Sequence, residues 1–153
     1  MKRMQTYQGN ISAPNLLNIC VDDNVGGEVS GRLYHCYSEK PIMFSNIIEL
    51  IREAEKLFDT IAFPQASTKT RSLVEKDDKP AVQVQRPDKV FMPNEVVQYS
   101  GLLGSFVTNV RFRQNSTWQG EICWVEAGKT LQFSNTLDFI RVIDLAIEKI
   151  KLK

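Results

Sequence analysis

Apolar residues recur every three or four positions in two stretches of the chain. Over residues 46–60, running on to Ile61, the stripe is Ile47, Ile48, Ile51, Ala54, Leu57, Phe58 and Ile61, with Arg52, Glu53, Glu55 and Lys56 on the opposite side. That spacing predicts an amphipathic helix. Over residues 135–151 the main stripe is Leu137, Ile140, Ile143, Ile147 and Ile150. Phe139, Val142, Leu145 and Ala146 widen it, so this second helix is expected to be more deeply buried or covered by a partner. Asn46 with Glu49, and Asn135 with Asp138, place a capping side chain three residues before an acidic one. Ser45 and Ser134 are the competing caps.

Between these helices and the residues before them the pattern shortens to strands. Residues 31–37 and 120–125 are rich in β-branched and aromatic side chains. Residues 38–41 and 126–129 read as turns, and a short strand then ends at Phe44 or Phe133. Residues 15–21 and 105–113 read as one further strand before each unit, the second alternating partly with period two through Phe106, Val110 and Phe112 against Arg111 and Arg113.

The two stretches are alike in sequence as well as pattern. GRLYHCYSEKPIMFSNIIELIR (residues 31–52) matches GEICWVEAGKTLQFSNTLDFIR (residues 120–141) without a gap, at an offset of 89. Identities fall at Gly31/Gly120, Lys40/Lys129, Phe44/Phe133, Ser45/Ser134, Asn46/Asn135, Ile51/Ile140 and Arg52/Arg141. The match predicts an internally duplicated strand-strand-strand-helix unit, 15–61 and 104–150. It makes an α+β single domain over 1–153, with a mainly antiparallel sheet and one shared core. Phe44 and Phe133 are then equivalent core residues. The connection, 62–103, is least repeat-like: ASTKTRS and EKDDKP are polar, and residues 81–84 and 89–92 read as short strands broken by Pro87 and Pro93.

Composition narrows the function classes. The chain has 153 residues, 42% hydrophobic and 24% charged, which suits a globular fold. Nineteen basic residues against eighteen acidic give a net charge of +1, so no global field favours nucleic acid or an anionic membrane. No apolar run follows the basic residues at the N-terminus, and none is long enough to span a bilayer. Cys20, Cys36 and Cys123 are odd in number and widely spaced, as reduced cytoplasmic thiols are. Without an export signal, the acceptor patterns at Asn10 and Asn115 read as chance matches.

Catalytic chemistry is poorly supplied. His35 is the only histidine, and Cys36, beside it, points to the opposite face of a strand. No metal-ligand cluster is visible, Asp22-Asp23-Asn24 reads as a turn, and phosphate loops are absent, so neither metal nor cofactor is implied. Lys69 and Arg71, with the hydroxyls of residues 66–72, could cradle an anion. Arg111, Arg113 and Lys129, with Trp118 and Trp124 and with Arg141 nearby, form the strongest candidate binding surface, since Arg and Trp anchor interfaces and also stack on bases.

Two resemblances add to this. Asn115-Ser116-Thr117-Trp118-Gln119-Gly120 resembles the short motif of PilZ domains. Thr117 stands where Ser is usual, and the upstream arginine pair of those domains is absent; the resemblance implies a cyclic-dinucleotide receptor. FPQAST (residues 63–68) and QNSTWQGEICW (residues 114–124) are similar to small uncharacterised proteins of anaerobic Gram-positive bacteria, which implies a bacterial cytoplasmic protein and no particular activity. The expectation is a non-catalytic binding module whose partner is a protein, a second copy of the chain included. The alternative is a nucleotide or nucleic-acid binding accessory protein that uses the basic-aromatic strand face.

Overall fold

Residues 17–21 and 104–108 are buried on both faces of their strands, so these two segments run down the middle of the sheet. A computed structural model of the chain describes Gly9, residues 11–65 and residues 87–151. Strands β1 (Leu17–Val25), β2 (Glu28–His35) and β3 (Ser38–Phe44) precede helix α1 (Ile47–Ile61). A four-residue helix, α2 (Pro93–Val96), lies in the connection. Strands β4 (Gly104–Phe112), β5 (Gln119–Trp124) and β6 (Lys129–Phe133) precede helix α3 (Thr136–Lys151). All six strands join one sheet in the order β3-β2-β1-β4-β5-β6, antiparallel at every pairing. The protein is α+β, as its hydrophobic pattern predicts.

Both long helices lie on one face, each against the strands of its own half. Leu17, Ile19, Val21, Leu33, Phe106, Val110 and Ile122 meet Leu50, Ala54, Phe58, Phe139, Ile143 and Ile147 there. On the other face Leu16, Cys20, Tyr34, Cys36 and Val107 are covered by Phe91, Val96 and Val97 of the connection. Among the described residues no helix is long and apolar enough to cross a membrane.

Several strand pairings recur at the 89-residue offset. Val21 faces Gly31, which faces Phe44; Val110 faces Gly120, which faces Phe133. Only glycine fits between, because a Cβ on Gly31 would stand 1.9 Å from the Cys20 carbonyl oxygen, and one on Gly120 2.1 Å from that of Asn109. Both hairpins are bulged one step on, at Asp22 and at Arg111. Both then turn through two residues of positive φ, Gly26 and Gly27 (62° and 85°) or Asn115 and Ser116 (55° and 60°), although the first loop joins Val25 directly to Glu28 in two residues and the second runs from Phe112 to Gln119 through a short 3-10 turn. Asn46 Oδ1 accepts from the Glu49 N–H and Asn135 Oδ1 from the Asp138 N–H, each at 2.8 Å, so asparagine rather than serine is the cap.

Some boundaries differ from expectation. Residues 38–41 are not a turn but the start of β3, and the chain reverses at Cys36 and Tyr37. Pro41 is tolerated there because β3 is a sheet edge, where a missing N–H breaks no ladder. Residues 89–92 are not a strand: the N–H groups of Val90 and Phe91 both donate to the single carbonyl of Cys36 (2.9 and 3.0 Å). The predicted strand at 81–84 lies outside the described residues. Ile48 and Leu137, placed on the core stripes from sequence, are 65% and 56% exposed. Each stands two positions, or about 200° of helix turn, before the buried Leu50 or Phe139.

Candidate functional site

The tip of each hairpin approaches the opposite half's helix, and the two tips do so differently. In the second half the place is closed. Trp118, 2% exposed, lies edge-on to Phe58 and Phe139, with ring centroids 5.6 and 5.3 Å away. Its Nε1–H donates to the Glu55 carboxylate. Arg113, 6% exposed, donates from Nε to the Pro64 carbonyl (2.7 Å) and from Nη1 to Glu55 (3.0 Å) and Asp59 (2.8 Å). Its guanidinium sits 5.6 Å above the Phe58 ring. The Thr117 and Thr136 hydroxyls bond each other at 2.9 Å, Thr136 N–H donates to Thr117 Oγ1 at 2.7 Å, and Trp118 N–H donates to Thr136 Oγ1 at 3.1 Å.

At an offset of 89, earlier for the hairpin groups and later for the helix carboxylate, these closing groups are replaced. Val29 stands for Trp118, Asn24 for Arg113, Glu28 for Thr117 and Ile47 for Thr136, while Asp144 on α3 stands for Glu55 on α1. The result is an open cleft of about 480 Å³, lined by Gly27, Glu28, Val29, residues 46–49, Arg52, Ile140, Ile143 and Asp144. This volume lies within the range of small-ligand sites. Its floor is apolar (Val29, Ile47, Ile140, Ile143). Its rim carries three carboxylates, Glu28, Glu49 and Asp144, against one cation, Arg52. Among the described residues neither Arg52 nor Asp144 is in an ion pair. Asn46 and Glu49 are held by the α1 cap, where Glu49 also accepts from the Ser45 hydroxyl at 2.8 Å.

The residues singled out from sequence are scattered by the fold. Arg113 and Trp118 do come together, but through Glu55 and inside the packed core. Arg111, the bulge residue, pairs with Glu121 on the sheet's other face. Trp124 is partly buried against the core, with Nε1 enclosed and unpartnered, and Lys129 is its exposed cross-strand neighbour. Arg141 is exposed on α3. Lys69 and Arg71, with the 66–72 stretch, lie outside the described residues. In the PilZ-like hexapeptide, Asn115 and Ser116 make the hairpin turn, Thr117 locks to Thr136, and Trp118 is core.

His35 and Cys36 are also committed to structure. His35 Nδ1 accepts from the Tyr37 N–H at 3.0 Å, and burial lowers the imidazole pKa. Burial raises the Cys36 thiol pKa, the opposite of what a nucleophile needs, with Lys89 opposing it. All three cysteines are buried, and none is in a disulfide. A further polar cluster holds the connection in place. Arg32 donates to Asp22 (2.8 and 3.0 Å), the Tyr34 hydroxyl (2.8 Å) and the Ser100 carbonyl (2.8 Å). Burial alone would raise the Asp22 pKa, but hydrogen bonds from Arg32 and from the Leu102 N–H outweigh it and hold the carboxyl below its ordinary value.

Sequence reasoning missed Val29 and Asp144. The signal was present, because the offset that aligns Gly31 with Gly120 also sets Val29 against Trp118 two residues earlier, the largest change in side-chain size near the match. Compared with known proteins, the chain matches no family model, no curated protein and no solved structure.

Proposed function

We propose that the chain is a non-catalytic, cytoplasmic bacterial binding module that receives a protein partner in the cleft between the β1–β2 hairpin tip and helices α1 and α3. One observation carries this reading: the cleft stands open where its counterpart is sealed by Trp118, Arg113 and the Thr117–Thr136 lock. An apolar floor with a polar rim is the layout of an interface hot spot. The exposed Ile48 at its mouth extends the apolar surface outward.

The alternative, a nucleotide or nucleic acid on the basic-aromatic strand face, has less support. Arg113 is consumed by Glu55 and Asp59, Arg111 faces Glu121, and the open cleft presents three carboxylates, which repel phosphate.

The test is a selection of displayed random peptides on the wild-type chain, with the cleft-filled variant Val29→Trp as counter-target. A second blocked variant, Asp144→Arg, alters an exposed position and guards against misfolding of the first. Peptides that bind wild type and neither variant are the expected result. Peptides retained equally by all three would overturn the assignment of the cleft. Self-association that survives both variants would put the interface elsewhere.

A further inference from the structure

The chain carries its own example of what this cleft accommodates. Trp118 occupies the counterpart, with its ring on the core, its N–H on a helix carboxylate and a cation from Arg113 on the same carboxylate. The cleft has an apolar floor and a helix carboxylate in corresponding places without the plug, though Ile147 and Leu50 stand where Phe58 and Phe139 hold the Trp118 ring. Ile140 and Ile143 of α3 stand where Ile51 and Ala54 of α1 stand, Asp144 where Glu55 stands, and Glu148 where Asp59 stands. Asp144 and Glu148 have no cation among the described residues, because Asn24 replaces Arg113.

We infer that the cleft takes a tryptophan side chain of the partner protein, its indole N–H donated to Asp144, with a neighbouring lysine or arginine of the partner paired to Asp144 or Glu148. This rests on the protein-binding reading above and names its chemistry. A second copy is not the source of the indole, since Trp118 is 2% exposed and the Nε1 of Trp124 is enclosed. The acidic rim also selects for a donor ring and a basic neighbour, and against an acidic peptide.

The probe is N-acetyltryptophanamide, titrated into ¹⁵N-labelled wild-type protein and followed by amide chemical shifts. Shifts are expected at Val29, residues 46–52 and residues 140–144. Asp144→Ala should weaken binding about tenfold, the worth of one hydrogen bond to a charged group. The N1-methylated indole analogue should bind wild type about tenfold more weakly and the alanine variant no differently, because it cannot donate. Equal binding of the two probes to wild type, or shifts centred elsewhere, would overturn the inference. The peptide selection separates this failure from that of the parent reading. Cleft-dependent peptides that lack tryptophan would overturn the indole inference and keep the protein-binding reading, whereas peptides with no cleft dependence would overturn both.

Discussion

Trp118 and Glu55 are 63 residues apart and are joined by a single indole–carboxylate hydrogen bond across the two halves of the protein. Shifting each by 89, in opposite directions, gives Val29 and Asp144, which face an open cleft instead. The register carries this relation through the four central strands, while the outer hairpins part after Leu33 and Ile122, where β2–β3 shifts to His35↔Ser38 and β5–β6 runs on to Trp124↔Lys129. Asn18 faces Val107 at the sheet centre, also 89 apart, and the flanking pairs Leu17–Thr108 and Ile19–Phe106 exchange under the same shift. Even the bulges correspond with their charges reversed, Asp22–Arg32 in one half and Arg111–Glu121 in the other. Against that regularity, the difference between Trp118 and Val29 is the main asymmetry of the helix-covered face.

Removing the plug should be costly. Trp118→Val deletes most of a fully packed aromatic side chain and leaves Glu55 without its indole donor. Urea unfolding should show a loss of about 3 kcal/mol, as for other large-to-small core changes. A loss below about 1 kcal/mol would mean that the second site is not sealed by this ring.

Arg111 and Arg113, two residues apart in the sequence, should part company. Arg113→Lys keeps the charge but not the fork that reaches Pro64, Glu55 and Asp59 together. It should cost about 1.5–3 kcal/mol, the range for lost hydrogen bonds to charged groups. Arg111→Ala removes an exposed pair and should cost less than about 1 kcal/mol. Equal losses in thermal or urea unfolding would contradict the placement of Arg113 in the core.

The hairpin glycines should behave in opposite ways. Gly31→Ala and Gly120→Ala force a Cβ into backbone oxygens that cannot move aside, and each should destabilise by more than about 2 kcal/mol. Gly26→Asn should be neutral within about 0.5 kcal/mol, since nothing crowds its Cβ and Asn115 holds the same positive φ in the other hairpin. Melting temperatures of the three variants test the register equivalence.

Stability should fall on mild acidification through His35. Burial lowers the folded-state pKa, so the unfolded chain takes up the proton first, near its ordinary value of about 6.5. Above that value both states are neutral and the group contributes no slope. Below it, stability decreases until the pH passes the folded-state pKa. Unfolding free energies measured from pH 7.5 to 5 should show this decline, and His35→Gln, which can still accept from the Tyr37 N–H, should flatten it. An unchanged slope in the variant would assign the effect to other groups.

Much of the fold was legible because local chemistry repeats. Gly31 and Gly120, Phe44 and Phe133, and the Asn46 and Asn135 caps are each dictated by short-range geometry, and identical residues mark them. The site was less legible because it depends on difference. Arg113 reads as a surface cation until the fold brings Glu55, 58 residues away, onto it. Trp118 reads equally as core or as anchor, and only the packing of Phe58 and Phe139 decides. Asp144 looks like any solvent-side helix residue, and its place opposite Val29 arises only when both hairpins and both helices share one face.

The most direct measurement is the unfolding free energy of Val29→Trp. Val29 is only 5% exposed, and enlarging a buried residue in a filled core costs about 1–3 kcal/mol or more. If the cleft is the open counterpart of the Trp118 place, the added indole has room and an acceptor in Asp144, and the variant should match or exceed wild-type stability. A loss of about 2 kcal/mol or more, the usual result of overpacking, would contradict the account.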